Sequence, residues 1–202
     1  MNELTKIANY IILYGRYQSN PGLFNGKAGM MLSMFLLSQK IGISVYRDFA
    51  EDLLDDVQKQ LYDNLPLGMK DGLTGIAYSM SFLANKNFLS FNQNEILCDL
   101  DNKIMNSDPR RITDYSFENG ALGIWVYINE RLKSTQKLTS IDGMYIRELE
   151  DSLRKNGILC ENIKLIDQLA QPTFSINDYR KQKLNIDGGV SYYLLKHSLS
   201  YD

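Results

Sequence analysis

Four runs along the chain are apolar on nearly every side: Met30 to Leu37, Ile76 to Leu83, Ile124 to Ile128 and Val190 to Leu195. A helix without a polar face must be buried, so these runs predict four inner helices. The segments between them are amphipathic. Leu4, Ile7, Ala8 and Ile11 mark an opening helix over residues 3–18, stopped before Pro21. Tyr46, Phe49, Ala50, Leu53, Leu54, Val57 and Leu61 recur at three- and four-residue spacing, with Glu51, Asp55, Asp56 and Lys59 between them. Ile96, Leu97, Leu100 and Ile104 repeat the pattern, as do Ile141, Met144, Tyr145, Leu149 and Leu153, which end at a candidate C-terminal glycine, Gly157. These predict outer helices. The order is outer then inner, four times, broken by a loop-like insertion at about residues 158–184 around Pro172.

Each inner run opens on the same short pattern. Asn or Asp is followed by Gly, then two residues, then Gly or Ser: Asn25-Gly26, Asp71-Gly72, Asn119-Gly120 and Asp187-Gly188. Self-similarity at intervals of this size marks a repeat architecture. Asn25, Asp71, Asn119 and Asp187 are expected to be N-caps, whose side-chain oxygens accept from first-turn amides. No linker divides the chain.

Composition removes several function classes. The net charge is −2 and the Lys and Arg residues are scattered, so no nucleic-acid face is expected. Even Arg180-Lys181-Gln182-Lys183 reads as a solvated loop. No run reaches membrane-spanning length, and the amino terminus lacks a signal-like apolar stretch. The two cysteines, Cys98 and Cys160, stand in unrelated contexts, which fits a reducing compartment. A cytoplasmic protein is expected.

Alternating outer and inner helices, each inner one opened by Gly-x-x-Gly, resemble the LanC-like (lanthionine synthetase C-like) family. The resemblance is carried by Gly22–Leu37, Gly68–Leu83 with its Gly-Leu-Thr-Gly-Ile-Ala at 72–77, and Asp114–Arg131. It covers most of residues 1–135. It implies an all-α fold built like an α/α toroid of inner and outer rings, here a partial one, with residues 1–202 as a single repeat domain. It also implies a precedent for chemistry: enzymes of the family cyclise peptides by adding a zinc-activated thiol to a dehydrated residue. Their zinc is held by two cysteines and a histidine, in Trp-Cys-x-Gly and Cys-His-Gly type motifs. This chain departs from that pattern, since Trp125 precedes Val126 and the lone histidine, His197, follows Lys196. Seven repeats close the enzymes' ring, whereas four are recognisable here.

No cofactor or metal is therefore expected. Cys98, Cys160 and His197 could form a zinc set only by meeting in space, and burial of the cysteines as small hydrophobes is the simpler reading. The helix starts Asn25, Gly26, Asp71, Gly72, Asn119, Gly120, Asp187 and Gly188 are candidate ligand-facing positions, because helix N-termini favour anions and carbonyls. Capping alone is the simpler reading of them. Lys70 and Glu118, just before two of them, could add specificity. Tyr78, Tyr127, Tyr192 and Tyr193 could line an aromatic sugar site, but core packing is the simpler reading. The carboxylate pairs Asp55-Asp56 and Asp99-Asp101 read as solvated outer faces.

The expected function is binding of a peptide or protein partner without catalysis, as an accessory in peptide modification. A cyclase acting in a larger assembly and a carbohydrate-binding toroid are the alternatives. A four-repeat array also predicts an apolar edge around the inner runs that contacts a second copy of the chain or another protein, a homodimer being the simplest closed solution.

Overall fold

The computed structural model describes residues 3–61, 64–135 and 137–199. Among these, all regular structure is helical. The α-helices are α1 (Glu3–Tyr14), α2 (Lys27–Ile41), α3 (Ser44–Gln60), α4 (Leu73–Asn85), α5 (Gln93–Ile96), α6 (Cys98–Met105), α7 (Ala121–Leu132), α8 (Gly143–Lys155) and α9 (Ser191–Leu199). Short 3₁₀ turns follow α1 and punctuate the insertion, at Leu165–Gln168 and Ile176–Asp178. The chain forms two compact units, one from residues up to 64 together with those from 165 onward, the other from residues 65–164.

In the first unit α2 packs against α3 and α9, and α1 lies on α9 and α3. Every residue of α2 from Lys27 to Ser38 is buried. The outer helices bury one stripe each, Leu4, Ile7, Ala8 and Ile11 on α1 and Tyr46, Phe49, Ala50, Leu53 and Val57 on α3. In the second unit α4 packs on α7 and α6, and α7 on α8. The division into all-round buried inner helices and one-sided outer helices follows the hydrophobic pattern directly.

Leu194 and Leu195 of α9 are fully buried, because α9 packs on α2 and α1 of its own unit. The last inner helix thus spends its apolar surface on the first.

The expected caps are corrected. The N-cap residues are the glycines Gly26, Gly72 and Gly120, one position later, and none has a side-chain cap hydrogen bond. The amides at the helix starts bond main-chain carbonyls instead. Lys27, Leu73, Ala121 and Val190 donate to the carbonyls of Asn20, Pro66, Asp114 and Lys183, at 2.8, 2.8, 2.9 and 2.9 Å. In each case the acceptor lies seven residues before its donor, so the preceding loop folds back over the helix start. The approach is too close for a side chain. A Cβ on Gly26, Gly72 or Gly120 would overlap the very carbonyl that the next amide uses.

The same geometry shifts the fourth repeat by one residue. Gly189, not Gly188, holds the equivalent position, with Lys183 as its upstream acceptor. Asp187 caps no helix. Its carboxylate accepts the Ala170 amide at 2.7 Å, while α9 begins at Ser191. Gly188 is needed for a different reason, its left-handed φ of 71°.

Candidate functional site

The loops before the inner helices also bond one another in pairs. In the second unit the Lys70 amide donates to the Glu118 carbonyl at 2.8 Å. In the first unit the Asp187 amide donates to the Phe24 carbonyl at 3.3 Å. All four residues stand two positions before the close-approach glycine of their loop. The side chain three positions before that glycine then covers the partner helix: Met69 lies over Gly123 and Ile186 over Gly29. The two units therefore repeat one inter-loop contact.

This arrangement sets what the expected ligand-facing positions can offer. Gly26, Gly72 and Gly120 are buried, while Asn25 and Asp71 are half-buried and Asn119 is exposed. Asn25 accepts from Asn185 at 2.7 Å. The first amides of α2, α4 and α7 are bonded within the chain. Lys70 and Glu118 pair with each other at 3.2 Å. The donors that make a helix start attractive to an anion are thus largely engaged by loop carbonyls.

A larger recess lies in the second unit, along the middle and C-terminal half of α7. Its volume is about 890 Å³. Tyr78 of α4 and Trp125 and Val126 of α7 supply its apolar surface, α8 contributes Glu150 and Arg154, and residues 158–164 form its far wall. The local sequence explains that wall. Gly157 adopts φ 74° and closes α8 with two reversed bonds, Gly157 to Arg154 at 3.0 Å and Ile158 to Leu153 at 3.0 Å. The chain then turns back over α7, where the Trp125 indole N–H donates to the Cys160 carbonyl at 3.1 Å. Leu159 stands out from this wall, 87% exposed.

The rim carries both charge signs. Lys133 pairs with Glu130 at 2.8 Å, and Arg154 with Glu150 at 2.6 Å. Burial, with a smaller contribution from the Glu130 charge, raises the Tyr78 phenol well above its ordinary value, so it stays neutral and can donate a hydrogen bond. Burial, and then the nearby Glu150 carboxylate, raise the Cys160 thiol. A raised thiol carries less thiolate at neutral pH, the reverse of what a nucleophile or metal ligand needs.

A buried polar network fixes α7. The Arg131 guanidinium donates to Asp101 of α6 at 3.0 Å, and both are essentially inaccessible. Tyr127 and Ser140 also donate to Asp101, and Arg131 donates further to Gln93 at 2.9 Å. The solvated reading of Asp101 is thereby corrected: its partner comes from an inner helix some thirty positions later. Asp99 is exposed, as expected. Tyr127 belongs to this network and Tyr192 to the core, whereas the Tyr193 hydroxyl bonds the Phe174 carbonyl.

The remaining candidates are scattered. Cys98 and Cys160 are both half-buried, where full burial was expected. Cys98 opens α6 and His197 lies in the last turns of α9. Among the described residues no three His, Cys, Asp or Glu side chains group as a metal site. The donor set therefore does not fit the zinc of the cyclases. Also among the described residues, no helix is long and apolar enough to cross a membrane. Sequence reasoning missed the recess wall. Ile158, Leu159 and Cys160 form an apolar triplet without helical spacing just after a helix-ending glycine, and that was the available signal.

Residues 17–185 match the family model described as lanthionine synthetase C-like protein. Among curated proteins and among solved structures, nothing matches the chain.

Proposed function

We propose that this chain, which belongs to the lanthionine synthetase C-like family, binds a peptide or protein segment in the recess of its second unit and does not cyclise it. The recess itself carries this reading. It joins an aromatic and aliphatic surface to a rim of Lys133, Arg154, Glu130 and Glu150, the mixture that accommodates side chains of several kinds along a peptide. Its volume falls within the roughly 300–1,000 Å³ of ordinary ligand sites. The cyclases' Cys-His motifs are missing from the sequence, and Cys160, the thiol beside the recess, is held toward its protonated form.

A random-peptide display selection against the full chain supplies the ligand. The reading expects enriched peptides that bind saturably. It also expects that a peptide carrying a dehydroalanine and a cysteine keeps its free thiol, as counted by maleimide labelling, after incubation with the protein. Enzyme-dependent loss of that thiol would instead favour a cyclase acting in a larger assembly.

A further inference from the structure

A second surface lies in the first unit, where a cleft of about 580 Å³ opens between α1 and the loop at 179–181. Helix α1 has two apolar stripes. One is buried in the core. The other, Tyr10, Leu13, Tyr14 and then Tyr17 beyond the helix end, faces outward, with Leu13 66% and Tyr17 85% exposed. Single exposed apolar residues are ordinary, but a stripe at helical spacing marks a contact surface.

The stripe is organised. The Tyr10 ring lies 4.9 Å from Tyr14 and 5.5 Å from Tyr179, and its hydroxyl accepts the Lys181 amide at 2.9 Å. The Arg180 guanidinium stands 6.0 Å from the Tyr179 ring centre. The charges of the cleft have one sign. Lys6, Arg180 and Lys181 line it, and no carboxylate among the described residues does. On a chain of net charge −2 this is a local reversal, and it selects acidic partners. Tyr10 meets its neighbours at 56° and 74°. Tilted, edge-on rings offer little of the parallel platform on which single-stranded bases stack.

We propose that this cleft docks an acidic peptide segment with an apolar anchor, Leu13 and Tyr14 receiving the anchor and Lys6, Arg180 and Lys181 its carboxylates. The cleft shares no residue with the recess of the second unit, so each proposal stands or fails without the other.

The test uses the full chain and a fluorescein-labelled peptide of Glu alternating with Leu and Phe, followed by anisotropy. Saturable binding that weakens with added salt is expected. Lys6→Glu combined with Arg180→Glu weakens it at least about tenfold, since both attractions become repulsions. Leu13→Ser weakens it as well, and Leu159→Asp in the other unit leaves it unchanged. All these positions are exposed, and circular dichroism confirms that the variants keep their helices. No binding of this peptide would overturn the proposal, as would equal binding by the doubly reversed variant. Tighter binding of an oligothymidylate, or of phosphatidylserine vesicles, than of the peptide would overturn it too.

Discussion

Asp101→Ala is expected to be among the most damaging single changes in the second unit. The carboxylate is fully inaccessible and accepts from Tyr127, Arg131 and Ser140. Removing it leaves an inaccessible guanidinium without its counter-charge. Breaking a buried pair from one side costs about 3–5 kcal/mol. Arg131 retains Gln93 at 2.9 Å, Asn94 at 3.2 Å and Ser140 at 2.9 Å, which places the cost toward the lower end, about 3 kcal/mol. For a chain of this length that corresponds to a melting temperature lower by roughly 10 °C. Asp101→Ala with Arg131→Met removes both charges while the methionine fills the space of the arginine stem, so it should cost no more than about 2 kcal/mol. Urea unfolding followed both by emission of Trp125, the only tryptophan, and by circular dichroism gives these values, provided the two transitions coincide. The reasoning is refuted if Asp101→Ala costs under about 1 kcal/mol, or if the double variant is no more stable than the single one.

Three further outcomes follow from particular contacts. Gly72→Ala should destabilise by about 1–3 kcal/mol or more, because its Cβ overlaps backbone at Pro66 and Gly68, whereas Gly143→Ala, with open space around it, should be neutral or stabilising in the same melts. The hydrogen bond from Lys27, at 2.6 Å, holds the Asp56 carboxyl below its usual range. A depressed folded value means this stabilisation is complete above the unfolded value of about 4 and is lost as pH falls through the folded one, so Asp56→Asn should flatten the acid limb of the stability profile. Burial, and then the Lys40 charge, lower His197. Its contribution is therefore full above the ordinary imidazole value near ~6.5 and declines as pH drops through that range. In proton NMR the single histidine should titrate low, and Lys40→Met should move its midpoint upward.

The inner helices were legible because a run that is apolar all round has only one place to go. Met30 to Leu37 could not sit at a surface, and the structure buries all of it. The glycine signal was legible too, but its cause was not. Asn-Gly before an apolar run has the chemistry of a side-chain cap, while the actual acceptor is a carbonyl of Asn20, Pro66 or Asp114, and a carbonyl leaves no mark in residue identity. Asp101 was misread for a related reason. Its neighbours Asp99, Asn102 and Lys103 are exposed, so local pattern assigned it to solvent, and only the fold brings Arg131 to it. The recess was hidden for the same reason, since its wall comes from the insertion that broke the repeat.

The central claim is that the recess beside Trp125 receives a peptide. It is tested most directly by titrating a display-selected peptide into the protein while following Trp125 emission, in the native chain and in Leu159→Asp. Leu159 is 87% exposed, so the substitution alters the wall without disturbing the core. The account predicts a saturable emission change in the native chain, and binding at least about tenfold weaker in the variant, as expected when a charge replaces an apolar contact. Unchanged emission, with equal affinity in both proteins, would contradict it.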